Sequence, residues 1–427
     1  MEISQLVDRR NKAIGQGAPL FYEEPLHIVR GEGAYLYDQE GRQYIDMYNN
    51  VPCVGHANPR VAEAMHQQLQ TLNVHSRYLH DGILEYAEKL TALHTSSIES
   101  VVFSCSGTEA NEVAMTMARI ATKGKAFICT NAAYHGNSNQ VGQLTHVPIG
   151  DRNRKHTYSI PYPQKFRPIV QSANDQELSN HYLKALEETI TQIKNDGLGL
   201  AGILFCPIFA NEGLPDIPEG YMKLAAEMVR SAGGLVIIDE VQSGFCRTGN
   251  WWGYQTVGIE PDIVTMGKPM GNGLPLSAAA ASRQIVEDYR ARSRYFNTFA
   301  SSPLQAATGM AVLQEIEDQQ ILSRVQDVGQ YLREGLDSYL DRVSALGDIR
   351  SQGLFIGLEW VIDKENNEPD QAGAIKVVNL MKEKGFLMSN AGEHSNVVKI
   401  RPPLVFQREH ADRFLDAFDS VMEEHFV

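Results

Sequence analysis

The chain has 427 residues, of which 43% are hydrophobic and 21% are charged, and its formal net charge is −14. This length is enough for one large hydrophobic core and usually for a second domain. Because an acidic chain repels phosphate backbones and anionic membranes, neither nucleic acid nor a membrane is an expected partner. The charge does not exclude a small anionic substrate, since a local site can be basic on an acidic protein.

Cysteine usage and the lack of long apolar segments indicate the compartment. The five cysteines are odd in number, widely spaced and without a C-x-x-C pair, which argues against a disulfide framework and a zinc knuckle. The first residues lack the apolar region of a signal peptide, and no stretch approaches the roughly 18 apolar residues that span a bilayer. We therefore expect a cytoplasmic protein.

In chain order, the first predicted element is a β-hairpin over 33–47, with its turn near Glu40 and Gly41. Apolar runs, which predict strands, then alternate with amphipathic stretches, which predict helices. The strands are expected at 101–105, 125–130, 201–206, 234–239, 262–267, 347–361 and 396–406, and the helices at 108–122 and 221–233. Buried strands separated by helices predict an α/β fold, with a mostly parallel sheet flanked by helices on both sides.

The pattern predicts two domains. Residues 60–324 carry the alternating strands and helices and are expected to form the large domain. Residues 1–59 and 325–427 are expected to combine into a smaller α+β domain, in which the N-terminal hairpin joins the C-terminal part. The polar stretch 137–180 has few periodic features and is interpreted as an elaborated loop near a site.

A candidate anion site lies at the start of the first helix of the large domain. The N–H groups of Gly107, Thr108 and Glu109 and the hydroxyl groups of Ser106 and Thr108 meet there, and the helix dipole favours a phosphate. The alternative is a plain capping box of Ser106 with Glu109. Gly107 slightly favours an anion, since it removes a side chain where a ligand could approach.

Asp239 ends an apolar strand at the carboxyl edge of the predicted sheet, where α/β proteins bind ligands. Its carboxylate could hold a metal, pair with a pyridinium nitrogen or cap the following turn. A metal is weakly supported, because the 13 histidines show no H-E-x-x-H pattern and no other ligand-like spacing. We therefore predict no metal site.

Lys268 stands between Gly267 and Pro269. The chain between Asp239 and Lys268 leaves room for a helix or loop and one more strand, so the two side chains are expected at neighbouring strand ends. Pro269 is expected to stop a helix from starting at the lysine. A lysine in a poorly hydrated pocket loses its proton more easily and becomes a nucleophile. The alternative is a solvated lysine in a glycine-rich turn.

Two further stretches complete the pattern. Tyr134 follows a predicted strand, where its ring either stacks on a planar ligand or belongs to the core. The hydroxyl groups of Thr298, Ser301 and Ser302 precede a helix and either bind a ligand or cap that helix. Phosphate cradle, aromatic ring, strand-end aspartate and lysine, and hydroxyl-rich turn together suit pyridoxal phosphate. This planar pyridine aldehyde forms a Schiff base with a lysine and pairs its ring nitrogen with an aspartate.

Six motifs carry a resemblance to a known family. They are SGTEANE (106–112), YHG (134–136), IIDEVQSGFCRTG (237–249), MGKPMGNGLPL (266–276), NTFASSPLQAATG (297–309) and GLFIGLEW (353–360). Together they resemble the class III, or omega, aminotransferases of fold type I, from about Asp38 to Phe406. Other stretches resemble the branch that holds alanine–glyoxylate-type aminotransferases and phosphoethanolamine-type phospho-lyases.

The resemblance implies a role for each residue around the cofactor ring. Lys268 forms the Schiff base with pyridoxal phosphate, and Asp239 pairs with the pyridine nitrogen. Val241 packs on one face of the ring and Tyr134 on the other, while Gln242 bonds the ring hydroxyl.

The resemblance also implies how the cofactor phosphate is held. Ser106, Gly107 and Thr108 bind it, joined by Thr298 from a second subunit. A homodimer with shared active sites is therefore implied by the family and not by the spacing of these residues.

Departures from common relatives surround the substrate and leave the reaction open. Many class III transaminases have a gate glutamate where this chain has Cys206, and Cys53 and Leu274 replace histidines. The main hypothesis is amino-group transfer from a small primary amine or amino acid to a 2-oxo acid. The alternative is a one-substrate lyase that releases ammonia, phosphate or both from a phosphorylated or phosphonate-bearing amine, such as phosphoethanolamine or a hydroxy-aminoethylphosphonate.

Three residues are predicted to bind the substrate: Arg401, Arg77 and Asn50. Arginine gives a two-pronged fit to carboxylate, phosphate or phosphonate. Each arginine could instead pair with a surface carboxylate. Two other classes of protein are less favoured: intact Lys268 and Asp239 argue against a non-catalytic relative, and the lack of G-x-G-x-x-G after a strand argues against a nicotinamide dehydrogenase.

Overall fold

The computed structural model describes residues 2–145 and 155–427. The strands are β1 Ile28–Glu32, β2 Tyr35–Asp38, β3 Gln43–Asp46, β4 Ser100–Ser104, β5 Ala126–Thr130, β6 Thr157–Ile160, β7 Leu200–Phe205, β8 Leu235–Asp239, β9 Ile263–Met266, β10 Ser277–Ala281, β11 Leu346–Gln352, β12 Phe355–Trp360, β13 Phe386–Leu387, β14 Ser389–Ala391 and β15 Val397–Ile400. The helices are α1 Ile3–Ile14, α2 Pro59–Thr71, α3 Asp81–Ala92, α4 Gly107–Thr122, α5 Asp175–Asn195, α6 Tyr221–Ser231, α7 Gly253–Thr256, α8 Arg283–Arg292, α9 Pro303–Asp318, α10 Ile321–Asp337, α11 Tyr339–Arg342, α12 Gln371–Glu383 and α13 Arg408–His425. Two 3₁₀ turns span Val141–Leu144 and Lys268–Gly271.

The largest sheet has seven strands in the order β4-β10-β9-β8-β7-β5-β6. All neighbours from β9 to β6 run parallel, and only β10 is antiparallel to both of its neighbours. Successive residues of one strand belong to different cores: Ile237 lies in the cluster that includes residues of α4 and α8, whereas Ile238 lies in the cluster that includes residues of α5, α6 and α9. This alternation explains why the strands are apolar throughout, and it confirms the predicted α/β fold.

Strand β10 was not predicted, and its composition explains why. Its sequence is Ser-Ala-Ala-Ala-Ala, and alanine favours helices over strands. The strand is nevertheless fully buried between β9 and β4. Packing on both faces has therefore overridden the local preference.

The stretch 137–180, interpreted as a loop, contains regular structure. Its residues include strand β6, which pairs in parallel with β5 at the sheet edge, and the first turn of α5. The loop interpretation was wrong for these parts, because a four-residue, half-exposed edge strand leaves a weak apolar signal. Residues 146–154 of this stretch lie outside the described residues.

Two four-stranded sheets lie outside the large one, in the orders β1-β2-β3-β13 and β11-β12-β15-β14. Strands β2 and β3 form the predicted hairpin, and Gly41 supplies a positive φ of 83° in its turn. Because β3 pairs with β13, the N-terminal segment is joined to the C-terminal part of the chain. On this pairing we propose the division into 60–324 on one side and 1–59 with 325–427 on the other.

No helix within the described ranges is long and apolar enough to cross a membrane.

Candidate active site

A cavity of about 320 Å³ opens beside the carboxyl ends of β8 and β9. It gathers eight of the predicted site residues: Ser106, Gly107, Thr108, Tyr134, Asp239, Val241, Gln242 and Lys268. These residues come from four separate segments of the chain. The strand order explains why they meet, since β8 and β9 are parallel neighbours and end at the same edge of the sheet.

Lys268 and Asp239 follow neighbouring strands, as the sequence predicted. Asp239 pairs with Thr265 across the β8–β9 ladder, and Lys268 comes two residues after the end of β9. The expectation that Pro269 prevents a helix was wrong, because a 3₁₀ turn begins at Lys268 itself. A proline is tolerated in the first turn of a helix, where its missing N–H would have no partner.

The environment of Lys268 favours its neutral amine. The side chain lines the cavity and is exposed there, although protein atoms surround it closely enough for burial to be the main cause of its pKa shift. Burial, followed by the positive charge of Arg401, lowers the pKa of the amine below its usual 10.5, and Asp239 opposes this shift. A lysine in this setting can act both as a nucleophile and as a proton acceptor.

The carboxylate of Asp239 is fixed by three donors. The backbone N–H of Val241 lies 3.0 Å from Oδ1, and Nδ2 of Asn111 lies 3.1 Å from Oδ2. Nδ1 of His135 is 2.8 Å from the same Oδ2. Asn111 is held in turn by the Thr265 hydroxyl, at 2.6 Å. The carboxylate is therefore oriented before any ligand arrives.

Sequence reasoning missed the roles of Asn111 and His135. Both lie in the motifs SGTEANE and YHG, so their positions were in view. Their contacts with Asp239 join residues more than a hundred positions apart, and no local pattern indicates such a pairing. The buried Nε2 of His135 has no hydrogen-bond partner within the described chain.

The N-terminus of the 16-residue helix α4 forms the opposite wall of the cavity. Ser106 caps the helix by accepting the Glu109 N–H at 3.2 Å, while Glu109 accepts the Cys105 N–H at 2.9 Å. The helix cap expected from the sequence is therefore present, and the backbone N–H that donates to the Glu109 side chain is that of Cys105. A Cβ on Gly107 would lie 3.0 Å from Val241, so only glycine leaves this approach open.

Gly136 is a second glycine that lies against the start of α4. Its φ is 140°, and an added Cβ would lie 2.5 Å from Oγ1 of Thr108. Because both positions are glycine, no side chain covers the backbone and hydroxyl groups at the start of α4. Such a cradle, together with the helix dipole, suits a phosphate group.

Side chains that flank the cavity are linked to one another. Nε2 of Gln242 donates to Oδ1 of Asn211 at 3.1 Å, and Nδ2 of Asn211 donates to the backbone carbonyl of Tyr134 at 3.1 Å. Oε1 of Gln242 accepts a hydrogen bond from Nη1 of Arg401. These hydrogen bonds therefore link Tyr134, through Asn211 and Gln242, to the buried Arg401.

Arg401 is buried beside the cavity and contacts its lining through Gln242. Its Nε donates to the backbone carbonyl of Tyr48 at 3.2 Å. Burial lowers the pKa of the guanidinium, but an arginine remains charged at neutral pH. The alternative pairing with a surface carboxylate is absent for this residue within the described chain.

The other three predicted residues do not line the cavity of a single chain. Nδ2 of Asn50 lies 3.3 Å from the backbone carbonyls of Val241 and Gln242, so it supports the segment that carries them. Arg77 places its guanidinium 4.3 Å from the ring centroid of Phe296. Thr298 lies in the loop after Phe296. Direct roles of these three residues in binding remain predictions.

Cys206 and Leu274 also line the cavity, and both are positions at which the sequence departs from common relatives. Burial, followed by the nearby charge of Asp239, raises the pKa of the Cys206 thiol, so this position carries no charge. Within the described chain, no group of three or more His, Cys, Asp or Glu side chains is placed to hold a metal ion.

The arrangement fits pyridoxal phosphate. The start of α4 offers N–H and hydroxyl groups for a phosphate, Val241 and Tyr134 both line the cavity, Asp239 offers a fixed carboxylate, and Lys268 offers an amine of lowered pKa. All of these groups border one cavity, so a single planar, phosphorylated aldehyde can reach each of them.

Comparison with known proteins agrees with this arrangement. The model of the family described as "Aminotransferase class-III" matches residues 21–422. The chain is 35% identical to "Alanine--glyoxylate aminotransferase 2-like" of Drosophila melanogaster, over 99% of this chain and 89% of that protein. It is 33% identical to "Ethanolamine-phosphate phospho-lyase homolog 1" of Caenorhabditis elegans, over 98% of this chain and 93% of that protein.

A solved structure shows the same likeness in three dimensions. It is a phospholyase from Arthrobacter in complex with phosphoethanolamine, 39% identical, with a TM-score of 0.95 over 98% of this chain and 99% of that chain. The family match covers nearly the whole sequence, and the fold agrees with it. The chain therefore belongs to the class III aminotransferase family of pyridoxal-phosphate-dependent enzymes of fold type I.

Proposed function

We propose that this enzyme transfers the amino group of a small primary amine or amino acid to a 2-oxo acid. The observation that carries the proposal is the juxtaposition of Lys268 and Asp239 at neighbouring strand ends, in one cavity with the start of α4. The volume of about 320 Å³ must hold the cofactor as well as the substrate, so it supports a small amine.

Pyridoxal phosphate, when bound, supplies an aldehyde that condenses with the amine and a ring that accepts electrons from the adjacent carbon. When neutral, Nζ of Lys268 can accept the proton from the carbon that bears the amino group and return it to a neighbouring carbon. His135 and Asn111 fix the carboxylate of Asp239, which would pair with the ring nitrogen of the bound cofactor. Ser106 and Thr108 would hold its phosphate group.

The substrate's own anionic group needs a positive partner. Arg401 is the buried arginine that contacts the cavity lining, through Gln242, and we propose it as that partner. Arg77 and Asn50 are proposed as further contributors, Arg77 from the surface and Asn50 through the segment that carries Gln242.

A second candidate is elimination from a phosphorylated or phosphonate-bearing amine, with release of ammonia, phosphate or both. The 39% identity to a phospholyase favours it. So does Cys206, because an uncharged thiol cannot act as a gate that pairs with Arg401 between two dissimilar substrates. Glu212 lies further along the same segment, but its carboxylate is buried and accepts a hydrogen bond from Thr130.

We also propose a homodimer in which Thr298 of each chain completes the phosphate site of the other. Large apolar side chains are exposed near this loop and in the segment after α2, which supports a covered surface: Leu79 is 96% exposed and Phe299 is 74% exposed. A cytoplasmic location is proposed on the five free cysteines.

The two reactions are separated by supplying candidate amines without any 2-oxo acid. Transfer predicts one half-turnover that stalls until a 2-oxo acid such as pyruvate or glyoxylate is added. Elimination predicts sustained release of ammonia, with inorganic phosphate when the substrate is a phosphate ester. Sustained ammonia over many turnovers would overturn the transfer reaction, and the Lys268→Ala variant serves as the control for background decay.

A further inference from the structure

Two cations project from one face of β15 and its C-terminal extension. Lys399 and Arg401 are separated by one residue, so their side chains share a face of the extended chain. Both are buried, with 8% and 4% exposure. They meet over the same ring, because Nζ of Lys399 is 5.2 Å and Cζ of Arg401 is 5.3 Å from the ring centroid of Tyr48.

Neither cation has an anionic partner among residues 2–145 and 155–427. Arg401 bonds only neutral oxygens, those of Tyr48 and Gln242. The side-chain amine of Lys399 makes no hydrogen bond within that part of the chain, and its contact with the Tyr48 ring is its one specific polar interaction there. Buried charges in proteins are ordinarily paired, so two unpaired cations side by side need an explanation.

The nearby carboxylates are already engaged. Asp46 accepts hydrogen bonds from the backbone N–H groups of Tyr48 and Asn49, at 2.9 Å each, and lies 2.7 Å from Nε2 of His56. Asp239 is held by its own three donors and faces Lys268. Asp46 therefore acts on Arg401 through space, and no carboxylate of the described chain makes a direct contact with either basic side chain.

The cations also act on each other and on the site lysine. Burial, followed by the positive charges of Arg401 and Lys268, lowers the pKa of the Lys399 amine well below its usual 10.5. The shift favours the neutral form of Lys399 in the ligand-free protein, and a bound anion would oppose it, so the ammonium form is the one that the complex stabilises. An anion bound there would be attracted by both members of the pair and would lie on the side of the cavity that Lys268 serves.

The number of charges indicates which anion suits the pair. A carboxylate carries one charge and two oxygens, and a single arginine satisfies it with two parallel hydrogen bonds. A phosphate monoester or a phosphonate carries up to two charges on three oxygens. A second, compact ammonium beside the arginine matches this additional charge and oxygen.

We propose that Lys399 and Arg401 together form the subsite for a doubly charged phosphate or phosphonate group on the amine substrate, and that Lys399 sets the preference for this group over a carboxylate. The inference rests on the proposed function, since it concerns the substrate of that same site. It holds for amino-group transfer and for elimination, because both begin with the same bound amine.

The test uses the enzyme loaded with pyridoxal phosphate, so that the cradle at α4 is already filled. Binding of methylphosphonate, methyl phosphate and acetate is measured by titration calorimetry, at a pH where the first two are dianions. Both dianions are expected to bind at least about tenfold more tightly than acetate. A preference limited to one of them also supports the subsite and identifies whether the phosphonate or the phosphate ester is the natural group.

The Lys399→Met variant removes the charge and keeps the length of the side chain. It is expected to lose about tenfold in affinity for the dianions while acetate binding changes less than about threefold. Lys399→Arg, which keeps the charge, is expected to retain most of the preference. Lys12→Met, on the exposed face of α1, is the matched control and should leave all three affinities unchanged.

An affinity for acetate equal to that for both dianions in the wild type overturns the inference, as does an unchanged preference in Lys399→Met. Should that variant fail to fold, Lys399→Gln provides the same loss of charge in a polar side chain. Failure of the proposed function is detected separately: the absence of a visible cofactor band removes pyridoxal-phosphate chemistry, and sustained ammonia release without a 2-oxo acid removes amino-group transfer.

Discussion

The two polar regions of the active site are built in opposite ways. Around Asp239 every carboxylate oxygen has a donor, and the partners come from α4, the YHG loop and the backbone after β8. Around Lys399 and Arg401 the charges have no anionic partner in the described chain. The first region is complete before a ligand binds, whereas the second depends on a ligand to balance its charge. This difference supports the proposals that Asp239 is preorganised for the cofactor and that Lys399 and Arg401 select the substrate.

The largest effect is expected from Lys268→Ala, which removes the amine that lies beside the Asp239 region. Turnover should fall on the order of 10³-fold or more, because both the nucleophile and the proton acceptor are lost. The measurement is the steady-state rate with the preferred amine, at saturating pyridoxal phosphate. If the variant keeps a tenth of the wild-type rate, Lys268 is neither the nucleophile nor the proton acceptor.

A smaller loss is expected from Asp239→Asn, which keeps the shape and removes the charge. Turnover should fall about 10²–10⁴-fold, because a neutral amide does not stabilise a protonated ring nitrogen. The affinity for pyridoxal phosphate should fall as well, and both are measured in the same preparation. Asn250→Asp, an exchange of the same two residue types near the surface, controls for the substitution itself. Wild-type turnover in Asp239→Asn would show that the fixed carboxylate has no catalytic role.

The coupling between the two regions can be measured through pH. Nζ of Lys268 attacks pyridoxal phosphate only when neutral, so the rate of band formation in the cofactor-free protein should rise with pH and level off above its pKa. Because burial and Arg401 lower that pKa, the inflection should lie below 10.5. In Arg401→Met one of the two causes is gone, and the inflection should move upward. An unchanged inflection would show that the charge of Arg401 does not affect the pKa of Lys268.

The smallest effect is expected on stability. Lys399→Met replaces an unpaired buried amine by an apolar side chain of similar length, so the free energy of unfolding should rise by about 1 kcal/mol. Urea denaturation of the ligand-free protein measures it. A decrease of similar size in the free energy of unfolding would mean that Lys399 stabilises the fold, which would contradict a role limited to ligand binding.

The sequence predicted the strands that carry the site because they are buried on both faces and therefore apolar throughout. It also placed Asp239 and Lys268 at neighbouring strand ends, which the structure confirms. It missed β10, whose alanines favour a helix, and β6, whose edge position weakens the apolar pattern. These misses share one cause, since tertiary packing decides the structure where local preference is weak or contrary.

Side-chain partners were less accessible to sequence reasoning than positions. His135 was in view within the YHG motif, but its contact with Asp239 depends on how the loop after β5 returns to β8. Lys399 was overlooked because a lysine in a strand usually lies on a solvated face. Its burial follows from the pairing of β15 with β12 and β14, which no local pattern indicates.

The most direct test of the account is to locate the cofactor on the chain. The protein is incubated with pyridoxal phosphate, its visible absorbance is recorded, and it is then reduced with borohydride, digested and examined by mass spectrometry. The account predicts a visible band that disappears on reduction and a phosphopyridoxyl group on the peptide that contains Lys268. A protein that shows no band, or that carries the group only on other lysines, would contradict it.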